Sequence, residues 1–409
     1  MKKKAIILVE GHRTSGMSYV LAAKRLGLHA ITLSKNPLCY DYISSEHVKA
    51  IRVDTHDLNS LVSECSGLGA TYDIAGITGF ADFDESASVT VAKLCRHFNL
   101  PGPDPLAIER SSDKLTQRQF LANSGVPVPA YRLVADAAEA ESGAAQIGLP
   151  VIVKPAIGSG SSGVRLCGHA NELVEHVNYL LGGKHVWRSS PKILVEEFAQ
   201  GPFYSVEIME KEVVGIVAAN FGAPPHFVFR ETTFPAPLSA DEHERISDVS
   251  LSCLQALGLG WGPTNIEVRW AKRGPIVIEV NPRLAGALEP QLVHLACGID
   301  LITEHLKLVI GKECDLRGSH SQTAAARFLI PDHDGTLDWI SGQDRAAAVA
   351  GVIETKLYLQ PKMPIVRKGD YRDCIGHILA VSSDLGQTEA IIQRAAELIH
   401  WSITPFGGE

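Results

Sequence analysis

Two short stretches near residue 270 constrain this chain more than any other. Asn265-Ile266-Glu267-Val268-Arg269-Trp270 and Ile276-Val277-Ile278-Glu279-Val280-Asn281 alternate apolar and polar residues around Ala271-Lys272-Arg273-Gly274-Pro275. Alternation at period two on both sides of a glycine-bearing turn predicts a β-hairpin with one buried face. With Lys272-Arg273-Gly274 as a three-residue loop, Ala271 pairs with Pro275 and Glu267 falls directly across from Glu279. Opposed side chains lie about 5 Å apart, where two carboxylates repel. Asn281 shares the face of Glu279, and Arg269 that of Glu267. Two carboxylates and an amide so placed suit one or two hard divalent cations, Mg²⁺ or Mn²⁺, with nucleotide phosphates completing the shell. An exposed hairpin would also tolerate acids, but the flanking Ile and Val argue for half-burial.

The first hundred residues alternate differently. Ala5–Val9, Ala30–Leu33, Val48–Val53 and Ile74–Ile77 read as strands, with one helix carrying Met17, Val20 and Leu21 and another running from Val89 to Phe98. This order predicts an open parallel sheet of the α/β class. The turn from Gly11 to Gly16 lacks the middle glycine of GxGxxG, which weighs against a dinucleotide. Pro101-Gly102-Pro103 reads as a linker, followed by a helix capped by Ser111 or Ser112 and ended by Gly125. A compact unit follows from Ala130 to Phe198. Strands then dominate through Val280, with a helix near Asp241–Leu257, and alternation resumes beyond Gln322.

At 409 residues the chain exceeds one simple core, so two to four packed lobes are expected. A net charge of -8 argues against nucleic acid or an anionic membrane surface as partner. No apolar run approaches the roughly 18–20 residues that span a bilayer. Lys2-Lys3-Lys4 ahead of Ala5–Val9 reads as a capped strand, because Glu10, His12 and Arg13 stand where a signal peptide would be cleaved. Eight cysteines stand singly without a CxxC pair, and the sixteen histidines show no zinc spacing, so reduced thiols in a cytoplasm are expected.

Four further motifs carry chemistry. Val151-Ile152-Val153-Lys154-Pro155 is a buried-looking strand ending in lysine, followed by Gly158-Ser159-Gly160-Ser161-Ser162-Gly163. Such a loop can fold backbone N–H groups over phosphate oxygens, with Lys154 in reach of them, although a flexible hairpin turn has the same composition. Ile193–Phe198 is an apolar strand ending in Glu196-Glu197, where a carboxylate or backbone carbonyl could accept from an adenine amino group. Many strands end in acids. Asp113 complements a helix N-terminus, while Lys114 in the first turn opposes the dipole and hints at an external anion. Arg283, just past the hairpin, could hold a carboxylate or a developing acyl phosphate, or form a surface ion pair.

Taken in order, Ser112-Asp113-Lys114, Val153-Lys154-Pro155, Gly158–Gly163, Val195-Glu196-Glu197-Phe198, Asn265-Ile266-Glu267 and Ile278-Glu279-Val280-Asn281-Pro282-Arg283 resemble the ATP-grasp superfamily. Within it the chain resembles the L-amino-acid ligases that make dipeptides. The resemblance implies a Rossmann-like parallel-sheet domain over residues 1–103, linker helices and a small ATP-grasp lobe over 104–200, a large lobe over 201–321, and a C-terminal α+β lobe over 322–409. It implies ATP and Mg²⁺ as cofactors, with a carboxylate and an amine, expected to be amino acids, as substrates. Homodimers are common among such relatives. By the same resemblance Lys114 and Lys154 contact ATP phosphates, and residues 158–163 close over them. Glu196, Glu197 and Phe198 hold adenine, while Glu267, Glu279 and Asn281 bind the metal. Lys154 and Arg283 act on the reacting groups, and Arg283, Gly286 and Glu231 line the substrate site. Other ATP-grasp chemistry, on purine precursors or of the biotin-carboxylase kind, and a non-catalytic nucleotide-binding module remain as alternatives. One position departs from the pattern: Phe203 stands where relatives carry a ribose-binding Glu, leaving Glu207 or another residue to substitute.

Overall fold

The computed structural model describes residues 2–12, 15–80, 86–182 and 192–407, so residues 13 and 14 of the first glycine-bearing turn lie outside the described residues. The chain opens with β1 (Lys3–Val9), α1 (Gly16–Arg25), β2 (His29–Ser34), α2 (Asp41–Ser45), β3 (Lys49–Arg52), α3 (Leu58–Thr71), β4 (Tyr72–Gly79) and α4 (Ser86–His97). The four strands form a parallel sheet in the order β3-β2-β1-β4. β1 lies between two partners and is apolar on both faces for that reason. Ile6 and Leu8 pack against Tyr19, Val20, Leu306 and Val309, while Ala5, Ile7 and Val9 pack against Leu61, Cys65 and Leu94.

The linker leads into two helices where the sequence suggested one, α5 (Pro105–Ser112) and α6 (Lys114–Asn123). The cap of α6 is neither Ser111 nor Ser112. Both hydroxyls donate back to carbonyls of α5, and the extended Asp113 instead accepts the Thr116 N–H at 2.8 Å. A carboxylate is the better acceptor for the exposed N–H groups of a helix start.

A second, antiparallel unit follows: β5 (Tyr131–Val134), α7 (Ala137–Ile147), β6 (Val151–Pro155), β7 (Arg165–Cys167), α8 (Ala170–Leu181) and β8 (Ile193–Glu197), with sheet order β5-β8-β6-β7. Val151, Val153, Ile193 and Val195 face α7 and α8 from this sheet.

The remaining elements build around one large sheet. They are β9 (Phe203–Met209), β10 (Glu212–Phe221), β11 (Phe229–Phe234), α9 (Ala240–Leu257), β12 (Pro263–Ala271), β13 (Gly274–Asn281), α10 (Glu289–Cys297) and α11 (Leu301–Val309). Then come β14 (Thr323–Leu329), β15 (Gly335–Ser341), α12 (Gln343–Ala347), β16 (Val352–Leu357), β17 (Pro364–Ile365), β18 (Gly376–Ser382), α13 (Leu385–Ala396) and β19 (His400–Thr404). Eight of these strands run in the order β13-β12-β9-β10-β11-β14-β18-β16, so the sheet continues without a break across residue 322. One face packs α9 through Tyr204, Val206, Ile266 and Val268. Further along, the opposite face packs α10 through Val217, Phe234 and Ala324.

The hairpin β12–β13 pairs Glu267 with Glu279 as expected, by a different route. Ala271 pairs with Gly274, so the loop is two residues, and Gly274 enters the ladder with φ +104°. A β-bulge between Glu267 and Val268 leaves Ile278 as an extra residue on β13 and restores the register.

Candidate active site

The site grows from one face of the large sheet. On β12, Asn265, Glu267 and Arg269 share a face by period two. The ladder sets them against Glu207, Ser205 and Phe203 of β9 on one side and, for the first two, Asn281 and Glu279 of β13 on the other. Burial, then the negative charge of Glu279, pushes the Glu267 carboxyl up to about 8. Burial also opposes ionisation of Glu279, but Lys114, Lys154 and Arg283 outweigh it and hold its carboxyl below the ordinary value. The ammonium of Lys114, at the start of α6, lies 2.7 Å from Glu279 Oε1 and donates to the Gly158 carbonyl at 2.5 Å. One lysine therefore ties the acidic hairpin to the glycine loop.

Beneath this layer is a second ion cluster. Lys154 Nζ lies 2.5 Å from Glu196 Oε2, and Arg118 Nε donates to Glu196 Oε1 at 2.8 Å. All three side chains are nearly inaccessible. Burial works against the Glu196 carboxylate, yet Arg118 and Lys154 bring its carboxyl down to about 2. With its carboxylate so engaged, Glu196 leaves only backbone at this strand end for a base. Glu197, on the other face of β8, pairs with Arg273 at 2.5 Å and accepts the Ala130 N–H at 3.1 Å. Arg118 also donates to the carbonyl of Ile278, the bulge residue. Next to it, Gln117 bonds Val280 through both ends of its amide at 2.7 and 2.8 Å. Neither Gln117 nor Arg118 stood out in the sequence. The available signal was polar residues at helical spacing from Lys114 on the side of α6 that Leu121 buries.

The glycine loop curls through left-handed conformations at Gly160, Ser161 and Gly163. A Cβ on Gly160 would lie 2.4 Å from the Tyr371 ring, and the Tyr371 N–H donates to the Gly160 carbonyl at 3.3 Å. Arg372, held by the fully buried Asp370, donates to Ser162 Oγ at 3.4 Å. The far end of the cleft is aromatic. Phe198, Phe203, Phe221 and Phe227 place their ring centroids 5.5–5.7 Å from the Arg269 guanidinium. Phe203 is thus part of an arginine cage. Glu207, considered as its substitute, is buried away from that cage and accepts from Asn265 Nδ2 at 3.2 Å.

Arg283 follows β13, and its charge reaches Glu267, Glu279, Glu207 and Glu289. It also adds to the burial that lowers His12, in the turn after β1, to about 4. Gly286 lies in open space, where a Cβ would touch nothing within 4 Å. Ala287 and Leu288 after it are both left-handed, an uncommon conformation for residues with side chains, and lead straight into α10. Glu231 is not brought to this site. It pairs with Arg327 of β14 on the opposite face of the sheet, because Arg230 is an extra residue at the β10–β11 irregularity and reverses the facing expected from Phe229.

Residues 147–291 match the ATP-grasp domain, and residues 327–404 match the L-amino acid ligase C-terminal domain 2. The chain belongs to the ATP-grasp superfamily. An uncharacterized protein, y4rH of Sinorhizobium fredii, is 58% identical over 99% of this chain and 84% of its own length. The crystal structure of an L-amino acid ligase from Bacillus licheniformis superposes with a TM-score of 0.80 at 20% identity, covering 99% of this chain and 100% of that one. A biotin carboxylase domain dimer from Hydrogenobacter thermophilus, solved with MgADP and bicarbonate, gives a TM-score of 0.72 at 16% identity over 98% of this chain and 91% of that one. Dependence on ATP and Mg²⁺ is typical of the ATP-grasp family. Among the described residues, no helix is long and apolar enough to cross a membrane.

Proposed function

We propose that this ATP-grasp protein is an ADP-forming carboxylate–amine ligase that joins amino acids through an acyl phosphate. The observation that carries the reading is Lys114, whose single ammonium bridges Glu279 of the opposed carboxylate pair and the carbonyl of Gly158 in the glycine loop. Phosphate oxygens and a metal are thereby expected in one place. The side-chain oxygens of Glu267, Glu279 and Asn281 are hard donors on one face and fit Mg²⁺. Bound there, the cation would supply charge neutralisation for a carboxylate approaching a phosphoryl group.

The chain's own residues do the rest. Lys114 and Lys154 set positive charge beside the transferring phosphoryl group, and residues 158–163 cover it and exclude water. Arg283 steadies the acyl phosphate with its planar fork, while the aromatic end of the cleft and the backbone of Glu197 and Phe198 receive the base. The open backbone at Gly286 borders the substrate. The match to an L-amino acid ligase C-terminal domain favours amino acids as the pair joined.

The test is to incubate the protein with Mg²⁺ and ATP, screen pairs of amino acids and small carboxylic acids, and follow ADP and phosphate. Release is expected only with a productive pair and should fall by at least about 10²-fold in Glu279→Gln, as when a preorganised charge is removed. Formation of AMP and pyrophosphate would sink the acyl-phosphate route. Turnover that requires bicarbonate and a biotinyl acceptor would move the assignment to carboxylase chemistry.

A further inference from the structure

One charged side chain in the cleft has no part in the reaction as described so far. Arg269 of β12 lines the cleft, with four phenyl rings 5.5–5.7 Å from its guanidinium. Burial works against its charge, and Glu267, two residues back on the strand, opposes that effect. Even so, no carboxylate pairs with Arg269 among the described residues. Phenyl faces attract a cation that lacks a counter-ion, but they are not conventional hydrogen-bond acceptors. A guanidinium carries five N–H donors and no acceptor. One of them, on Nη1, donates to the Gly201 carbonyl at 2.8 Å. The others have no acceptor among the described residues, although the group borders the cleft.

The two walls of the cleft run in step. On the large sheet Arg269 follows Glu267 by two residues, about 7 Å along one face. On the small sheet Lys154 is level with Leu194 and Ile152 with Glu196, and β8 then leads to Phe198, whose ring lies against Arg269. Both walls therefore pass in the same direction from the phosphate end, at Lys154 and Glu267, to the end where the backbone of Glu197 and Phe198 receives the base. The sugar of a nucleotide joins its base to its phosphates, so it comes beside Arg269. No carboxylate is available to it there. Glu196 is held by Arg118 and Lys154, Glu197 by Arg273, and Glu207 is buried beside Asn265. Phe203, directly across the ladder from Arg269, offers only a ring.

We propose that Arg269 is the residue that reads the ribose, donating N–H hydrogen bonds to its hydroxyl oxygens, an inference that rests on the nucleotide placement above. The polarity of recognition is then the reverse of a carboxylate's. A carboxylate accepts, so it needs the sugar hydroxyl as a donor, whereas a guanidinium needs only the lone pairs on the oxygen. The phenyl cage serves this by lowering the local dielectric, which strengthens a hydrogen bond from a charged donor. A nucleotide without sugar hydroxyls loses the contact. One whose hydroxyl is capped as an ether keeps it.

The test measures binding rather than turnover, by calorimetric titration with the Mg²⁺ complexes of ADP, 2′,3′-dideoxy-ADP, 2′-O-methyl-ADP and 3′-O-methyl-ADP. Dideoxy-ADP is expected to bind about tenfold more weakly than ADP, the loss of a hydrogen bond from a charged group. At least one of the two ethers should match ADP. Arg269→Met, a side chain suited to an aromatic surround, should weaken ADP by the same factor and leave dideoxy-ADP unchanged, so that the preference disappears. Arg269→Lys retains a charged donor and should keep part of it. Equal binding of ADP and dideoxy-ADP to the wild-type protein would overturn the proposal. So would two ethers as weak as dideoxy-ADP, which would make the hydroxyls donors, or a loss in Arg269→Met shared by both nucleotides. Glu279→Gln, at the phosphate end, should weaken ADP and dideoxy-ADP alike. If it weakens neither, the phosphates do not lie at the hairpin, and the nucleotide placement falls together with this inference.

Discussion

Arg118 shows what a single buried residue can decide here. It is fully buried, and its guanidinium holds both Glu196 and the carbonyl of the Ile278 bulge, so it braces Lys154 and the hairpin at once. Replacing it with Met would leave Glu196 enclosed beside Lys154 alone. Removing one partner of a buried ion pair costs about 3–5 kcal/mol, so Arg118→Met should lower the urea midpoint markedly. An unchanged midpoint would show the cluster to be dispensable. The pH dependence has a definite sign. The Glu196 carboxyl sits at about 2 against an ordinary 4.5, so its charge stabilises the fold above 4.5 and that support is lost as pH falls toward 2. The acid limb of melting temperature against pH should therefore be shallower in Arg118→Met. Lys114, Lys154, Glu267 and Glu279 were legible in the sequence because each interrupts an apolar strand or contradicts a helix dipole. Gln117 and Arg118 were not, since polar residues on a helix look like a solvated face until a partner sheet covers them.

At the scale of elements, the hairpin and the glycine loop are instructive in opposite ways. Glu267 faces Glu279 although the β12–β13 loop is one residue shorter than the alternation predicts, because the bulge at Ile278 offsets the difference. Bulges leave no periodic mark, and the one at Arg230 accordingly defeated the placement of Glu231. The glycine loop was recognisable by composition, but its seat was not, because Tyr371 lies more than two hundred residues away in sequence. That seat makes a prediction. Gly160 has φ +63° and no room for a Cβ against the Tyr371 ring, so Gly160→Ala should displace the loop. The KM for ATP is expected to rise by about tenfold with little change in melting temperature, the usual result for a substitution in a loop outside the core. Tyr371→Ala in the same chain should recover part of it. A normal KM in Gly160→Ala would separate the loop's conformation from nucleotide binding.

For the whole molecule, the decisive fact is that the eight-stranded sheet crosses residue 322. β14 is hydrogen-bonded to β11 on one side and β18 on the other, and Val217, Phe234, Leu292, Ala324 and Leu379 share one apolar cluster. A chain ending at residue 321 would bare β11 as an edge strand, with its unpaired N–H and C=O groups exposed, and uncover Val217 and Phe234. It would also lose Tyr371 from the glycine loop. Such a chain should aggregate or unfold without cooperativity, and in the intact protein the amides of β11 and β14 should exchange with solvent in one cooperative event. Hydrogen exchange resolved by peptide would decide the matter. If β14 exchanges well before β11, or the shortened chain is monodisperse and melts sharply, the last third is a separable module. If the two strands exchange together, the strands that carry Glu267 and those that lead to Tyr371 and Arg372 at the glycine loop belong to a single folding unit.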